Sequence, residues 1–417
     1  MGQQDPEQVA GNGLLHRRHL LAGGLALIPA AAGAEALLPK TPTMLTPGAP
    51  MRGYGMPSPH EAAVQRIVGA GQPVLAPGTG ASRTPLHLLQ GMITPNGLHF
   101  ERLHNGVPDI DPRQHQLLIH GRVKRPLVFS ADVLHRYPMV SRIAFVECAG
   151  NSGGNTAPQA PQQNAGQIHG LVSCAEWTGV PLALLLDEAG VDPKASWLLA
   201  ESADAAGMSR SVPLVKGMAD ALVALYQNGE AIRPEQGYPM RLLLPGWEGN
   251  MNVKWLRRLK VTDGPTHTKD ETSKYSDLLA DGRARQFSFV MEAKSVITHP
   301  SGGMGLQGAG LYEISGLAWS GAGRIARVEI SADGGRSWAE AALSGPVLPQ
   351  ALTRFRLPWK WDGGPAVLQS RATDESGAVQ PSRAEWKARY HDQQAYHMSA
   401  VQSWRVTEKG EVANVYA

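Results

Sequence analysis

Arg142-Ile143-Ala144-Phe145-Val146-Glu147-Cys148-Ala149-Gly150-Asn151-Ser152-Gly153-Gly154 is the stretch on which the reading of this chain turns. Five mostly apolar residues, β-branched and aromatic among them, predict a buried strand over 142–146. At Cys148 the pattern breaks into small residues. The carboxyl end of a strand is where sites form in α/β sheets, and three glycines within five residues let a bulky group approach the backbone closely. A thiolate there is a soft ligand for a sulfur-loving metal. On residue type alone, a single strand cysteine is more often a small core hydrophobe.

Working outward, residues 116–121 predict a second buried strand, with a short helix over 130–137 between the two, opened by Ser130 and an acidic first turn. A clearer helix runs from Pro181 to Gly190, with proline in its first turn, apolar residues at i, i+3, i+4 and i+7, and glycine at its end. Further strands are expected at 197–200, 221–226 and 240–244. This part reads as mixed α and β. From about Phe287 the pattern changes. Ala326, Val328 and Ile330 alternate with Arg327 and Glu329, Asp333-Gly334-Gly335 turns the chain, and Trp338 begins the return. Short runs recur at 353–357 and 366–373, the spacing of an antiparallel sandwich. The expected fold class is α+β, a mixed α/β domain over 98–280 followed by an immunoglobulin-like antiparallel β-sandwich over 285–417. Residues 37–97, rich in Pro, Gly and Thr, read as an extended arm with one helix near 60–68.

The 417 residues suit two or three domains. A composition 42% hydrophobic and 18% charged is that of a globular protein. A net charge of +3 without a concentrated basic face gives no case for nucleic-acid binding. Within residues 1–36, Arg17-Arg18 precede an apolar run, Leu20 to Pro29, and then Ala32-Gly33-Ala34. That is a twin-arginine leader with an A-x-A cleavage site, too short to span a bilayer, and the expected location is the periplasm. The two cysteines, Cys148 and Cys174, cannot make a four-cysteine zinc site, and no Cys-x-x-Cys-His haem attachment occurs.

Five stretches in order resemble the sulfite oxidase family of molybdenum enzymes. Glu147-Cys148-Ala149-Gly150-Asn151 is similar to its metal-ligating cysteine segment. Phe100 to His104 with Val107 to Pro112 resembles its pterin-binding opening, and Gly237 to Arg241 with Pro245 to Leu256 its second pterin-binding stretch. Ala318-Trp319-Ser320-Gly321 and Ser331 to Gly335 resemble its dimerisation domain. The resemblance implies a molybdenum–molybdopterin cofactor with Cys148 as the protein ligand, and Phe100, His104, Asp204, Gln236, Arg241, Val253 and Lys254 around the pterin, the backbone serving at Phe100 and Val253. It implies Tyr275, Arg102 and Arg389 as the catalytic residues, Tyr275 near the metal oxo group and the two arginines facing the substrate oxyanion. An anionic pterin phosphate calls for such Arg forks and Lys charges. It further implies oxygen-atom transfer to a reduced sulfur compound.

The departures point within the family. Ser152 and Gly153 stand where sulfite oxidases place an arginine pair, Gln236 stands where a pterin-binding histidine is usual, and residues 155–167 lack a tryptophan over the pocket. A mouth with fewer anion donors suits sulfur carried on a larger partner better than free sulfite. With residues 271–278, this resembles the molybdenum subunit of the sulfane dehydrogenases of sulfur oxidation. The expectation is a homodimer within a heterotetramer with a separate c-type cytochrome, no haem in this chain, and a sulfur-carrier protein bearing the substrate. Two other readings stay open. One is a periplasmic sulfite dehydrogenase. The other is an exported β-rich binding protein with a structural Cys148–Cys174 disulfide, which would preclude metal ligation; a free, buried Cys174 is favoured.

Overall fold

The computed structural model describes residues 8–16, 41–69 and 77–417. The arginine pair, apolar run and cleavage motif of the expected leader lie outside the described residues.

The first half is organised by two sheets. In one, the strands run in the order Glu230–Ala231, Leu222–Gln227, Val172–Pro181 and Val140–Glu147, with Arg241–Leu243 pairing to Leu222–Gln227. Strand Val140–Glu147 therefore lies at the end of this sheet order, and eight residue pairs align it antiparallel to Val172–Pro181. The other sheet is ordered Ser209–Pro213, Trp197–Ser202, Leu256–Thr262, Gln116–Gly121, Leu127–Ser130, with the Leu256–Thr262 to Gln116–Gly121 pair parallel. Helix Leu182–Ala189 buries Leu182, Leu185, Leu186 and Ala189 against this core, the i, i+3, i+4, i+7 face that the sequence announced. Gly190 closes it at φ 71°, a left-handed cap that glycine takes without strain. Helix Ala131–Leu134 is capped by Ser130, whose hydroxyl accepts from Val133 N–H.

The second half is the expected sandwich. One sheet carries Lys294–His299, Gly310–Trp319 and Thr353–Trp361; the other carries Ala339–Glu340, Ile325–Ser331, Ala366–Asp374, Ser403–Val406 and Val412–Val415. Their inner faces share a core containing Trp359, Trp404, Phe355 and Ile330. Inward alternation holds at Val328 and Ile330, while Ala326 on the same strand is exposed.

One expectation is corrected. The helix near 60–68 is one 3-10 turn, Pro59–Glu61, followed by strand Ile67–Val68; Pro57 and Pro59 fix an extended entry, and Ile67–Val68 pair with Ser82–Arg83 in a sheet instead. The arm is not wholly separate from the catalytic domain. Ile67–Val68, Gly80–Arg83 and Glu101–Leu103 form a three-stranded sheet, which carries the arm's end into the site. Residues 8–15, expected in the leader, pair with the sandwich.

Candidate active site

Cys148 sits one residue beyond strand Val140–Glu147, at the base of a cleft of about 670 Å³ whose empty space is partly continuous with solvent. His99, Phe100, Arg102, His104, Ser202, Asp204, Gln236, Arg241, Asn252, Lys254, Trp255 and Tyr275 line it with Cys148. The strand ends here because the backbone turns: Asn151 N–H donates to Cys148 O (2.8 Å) and Gly153 N–H to Gly150 O (3.2 Å). Gly249 packs so closely behind that a Cβ on it would stand 2.7 Å from Glu147 O and 3.2 Å from Cys148 Cα. A side chain there would push the cysteine out of place.

Beneath the thiol lies a buried polar cluster that the sequence did not reveal. Glu147 accepts from Lys294 Nζ (3.0 Å), Asn151 Nδ2 (2.8 Å) and Trp319 Nε1 (2.6 Å). Lys294 also donates to Ser152 Oγ (2.8 Å), which pairs with His169 Nδ1 (2.7 Å). Lys294 and Trp319 belong to the sandwich, so the second half grips the loop that carries Cys148. His397 adds a second grip. Its N–H donates to Ala149 O (2.9 Å), and its ring meets Glu248 (3.1 Å) and Asp277 (3.7 Å). Burial opposes the imidazolium, but Glu248 and Asp277 outweigh it and raise the pKa to about 9.

The residues fit a sulfur-bound metal with an anionic organic ligand. Among the described residues no three His, Cys, Asp or Glu side chains converge on a metal position, so the donor set on offer is one thiolate plus ligands that the protein does not supply. Burial raises the Cys148 thiol above its ordinary pKa, with Arg102 pulling the other way; a bound metal ion would favour the thiolate. Arg241, buried, and Lys254, half-buried, are cations without a carboxylate ion partner among the described residues. Burial lowers them to about 9 and about 7, respectively. Arg241 Nη1 and Nη2 donate to Gln236 O and Asn252 O (both 3.0 Å), while Nε has no partner among the described residues. A buried cation held only by carbonyls is costly unless an anion arrives, and a phosphate fulfils that need.

The structure brings most of the expected residues together and qualifies four. Tyr275 lies in the cleft with its hydroxyl 3.1 Å from His104 Nε2. Its φ is 51°, rare for a bulky residue, and burial raises its pKa well above the ordinary value. His104 is pushed down to about 4 by burial and by Arg102, and stays neutral. Asp204 lines the cleft and accepts from Ser202 Oγ (2.7 Å). Arg389 is corrected: it forms a 2.5 Å ion pair with Glu292 and is absent from the cleft lining. Phe100 presents its ring, since its N–H donates to Ser173 Oγ (3.0 Å) and its carbonyl accepts from Gln236 Nε2 (2.8 Å). Gln236 thereby braces the wall with the amide group expected to face the pterin. Val253 is buried in the core behind Lys254, and its carbonyl accepts from Leu242 N–H (2.9 Å).

Three residues were missed. Arg210, fully buried, stacks over the Tyr275 ring at 5.1 Å. Arg83, on the arm, feels the Cys148 charge although burial dominates and lowers its pKa. Tyr396, from the sandwich half, lies against Tyr275 at 5.4 Å. No local motif marks them, because tertiary packing alone delivers them here. Both cysteines are free and Cys174 is buried in a core cluster, so the disulfide-bonded binding protein is set aside.

This site and fold define a molybdopterin oxidoreductase. Family models of the oxidoreductase molybdopterin binding domain and of the Mo-co oxidoreductase dimerisation domain match residues 104–269 and 285–404. Sulfite oxidase of Gallus gallus is 30% identical over 319 residues, covering 70% of this chain and 69% of that protein. Mitochondrial sulfite oxidase of Mus musculus is 30% identical over 350 residues, covering 77% of this chain and 64% of the mouse protein. The crystal structure of the sulfane dehydrogenase SoxCD from Paracoccus pantotrophus matches with a TM-score of 0.88 at 44% identity, covering 93% of this chain and 100% of the matched chain. The chain belongs to the sulfite oxidase family, and its cofactor is molybdenum–molybdopterin.

Proposed function

We propose that this chain is the molybdenum subunit of a periplasmic sulfane dehydrogenase, exported by the twin-arginine route. It oxidises sulfane sulfur held on a carrier protein and passes the electrons to a separate c-type cytochrome, as a homodimer within a heterotetramer. When bound, the molybdenum–pterin group supplies oxygen-atom transfer and accepts two electrons. The chain's own residues do the rest. Cys148 anchors the metal, Arg241 and Lys254 meet the pterin's negative charge, and Arg102 with Tyr275 stabilises charge developing on the sulfur oxyanion.

The observation that carries the reading is the Ser152-Gly153 pair. A Cβ on Gly153 would stand 3.4 Å from Ala395 O, so the backbone of the sandwich half borders the place where an anion-binding arginine is absent. The 44% identity to the sulfane dehydrogenase over that whole chain supports the same reading. A periplasmic sulfite dehydrogenase is the second reading, favoured by the sulfite oxidase relatives and by Arg102 in the cleft.

The test is to purify the protein with any co-purifying cytochrome, verify molybdenum by elemental analysis, and follow cytochrome c reduction. Fast turnover with a persulfide-bearing carrier protein and negligible turnover with free sulfite is expected. Fast turnover with sulfite alone would replace the proposal with the second reading.

A further inference from the structure

Residues 8–15 precede the arginine pair, yet they are built into the far end of the chain. Gln8–Ala10 and Leu14–Leu15 form a hairpin, and Leu14 aligns opposite Trp359 on strand Thr353–Trp361. Leu14 is 0% exposed and belongs to the sandwich core with Trp359, Trp361 and Ile314. The contacts are specific as well as apolar. Trp359 Nε1 donates to Asn12 O (2.6 Å), Lys360 N–H donates to Gly13 O (2.8 Å), Asn12 Nδ2 donates to Ala332 O (2.9 Å), and Gly11 N–H donates to Ser337 Oγ (2.7 Å). Gly13 adopts φ +82°, and a Cβ on it would stand 1.9 Å from Lys360 O; only glycine fits this approach. The segment thus adds a strand to an available sheet edge and fills a side-chain pocket beside it, the general mode of β-augmentation.

We propose that the edge of strand Thr353–Trp361 is a docking site for the first part of the chain's own leader, and that docking reports assembly of the sandwich sheet that carries this edge. The contact joins Asn12 to Trp359, 347 positions apart. It can form only after strand Thr353–Trp361 has been synthesised and positioned beside Ala332 and Ser337. A precursor with its leader docked is therefore one in which this part of the sandwich is assembled. Removal of the leader at the A-x-A motif would remove Leu14 from the core and open the edge. This inference rests on reading residues 1–36 as a leader, and its test separates the two.

The experiment is hydrogen exchange read by mass spectrometry on the full-length, molybdenum-loaded chain. Residues 10–15 and Lys360 are expected to exchange at least about 100-fold more slowly than in the isolated peptide. In Leu14→Asp, and independently in Gly13→Val, that protection should be lost while molybdenum content and the rest of the exchange map stay unchanged. Adding a synthetic peptide of residues 8–16 to Leu14→Asp should restore slow exchange at Lys360. Free-peptide exchange of residues 10–15 in the folded wild type would overturn the docking site. In cells, the two variants should yield several-fold less exported, molybdenum-loaded protein, and unchanged yield would overturn the reporting role. Replacing Arg17 and Arg18 by lysine tests the leader separately: blocked export with hydrogen-exchange protection intact would uphold both readings, and normal export would refute the leader alone.

Discussion

Lys294→Met removes the charge at the centre of the cluster beneath Cys148 while keeping much of the apolar stem. The ammonium is 4% exposed and the carboxylate of Glu147 1% exposed, at 3.0 Å. Removing one partner of such a pair costs about 3–5 kcal/mol, because it leaves an uncompensated buried charge. The cation–π contact with Trp319 at 5.6 Å is lost as well, worth about 0.5–2 kcal/mol. Glu147 keeps two donors, Asn151 and Trp319, so the lower part of that range, about 3 kcal/mol, is expected. The double variant Glu147→Gln with Lys294→Met removes both charges and should regain at least half of the loss, since an amide still accepts from Trp319. Denaturant unfolding of wild type, both single variants and the double variant gives the coupling energy directly. The same substitution loosens the loop bearing Cys148, so molybdenum retained after dialysis should fall in parallel. A loss below about 1 kcal/mol, or a double variant no more stable than Lys294→Met, would refute the argument that the second half holds the metal loop by charge.

Cys148→Ser should abolish turnover and leave the far-UV spectrum of the sandwich unchanged; retained activity would remove Cys148 as the metal ligand. His397, raised from 6.5 to about 9, contributes stability that is complete below about pH 6.5 and is lost as pH rises through about 9. The stability difference between wild type and His397→Gln should therefore be largest at pH 6 and vanish near pH 10. The shift corresponds to on the order of 3 kcal/mol, and a difference independent of pH in urea titrations would show that the ring is not charged against Glu248, Asp277 and Glu292. Arg389→Ala should leave kcat/KM within about twofold, because its partner is Glu292 outside the cleft; a tenfold loss in steady-state assays would restore it to the substrate site.

How far the sequence reached is plain in particular residues. The helix Leu182–Ala189, the strand leading to Cys148 and the sandwich strands were legible because periodicity and turn chemistry are local. Cys148, His104, Arg241, Lys254 and Tyr275 were placed by motif, and the fold brings all five to one cleft. Arg389 was misplaced because its spacing says nothing of Glu292, which captures it from a distant stretch. The arm's short helix failed because Ile67–Val68 are drawn into sheet pairing with Ser82–Arg83, a partner the local pattern does not record.

By itself the sequence determined the order of the two halves, the strand-end cysteine and the cations that meet an anionic cofactor, since each is written within a few adjacent residues. Only the tertiary structure decided that Lys294 and His397 hold the cysteine loop from the second half, that Tyr396 and Arg210 flank Tyr275, and that Leu14 completes a core built around Trp359. Those contacts join residues up to 347 positions apart. They exist because buried charge and apolar surface must find partners wherever the folded chain supplies them, and no local pattern records which partners those will be.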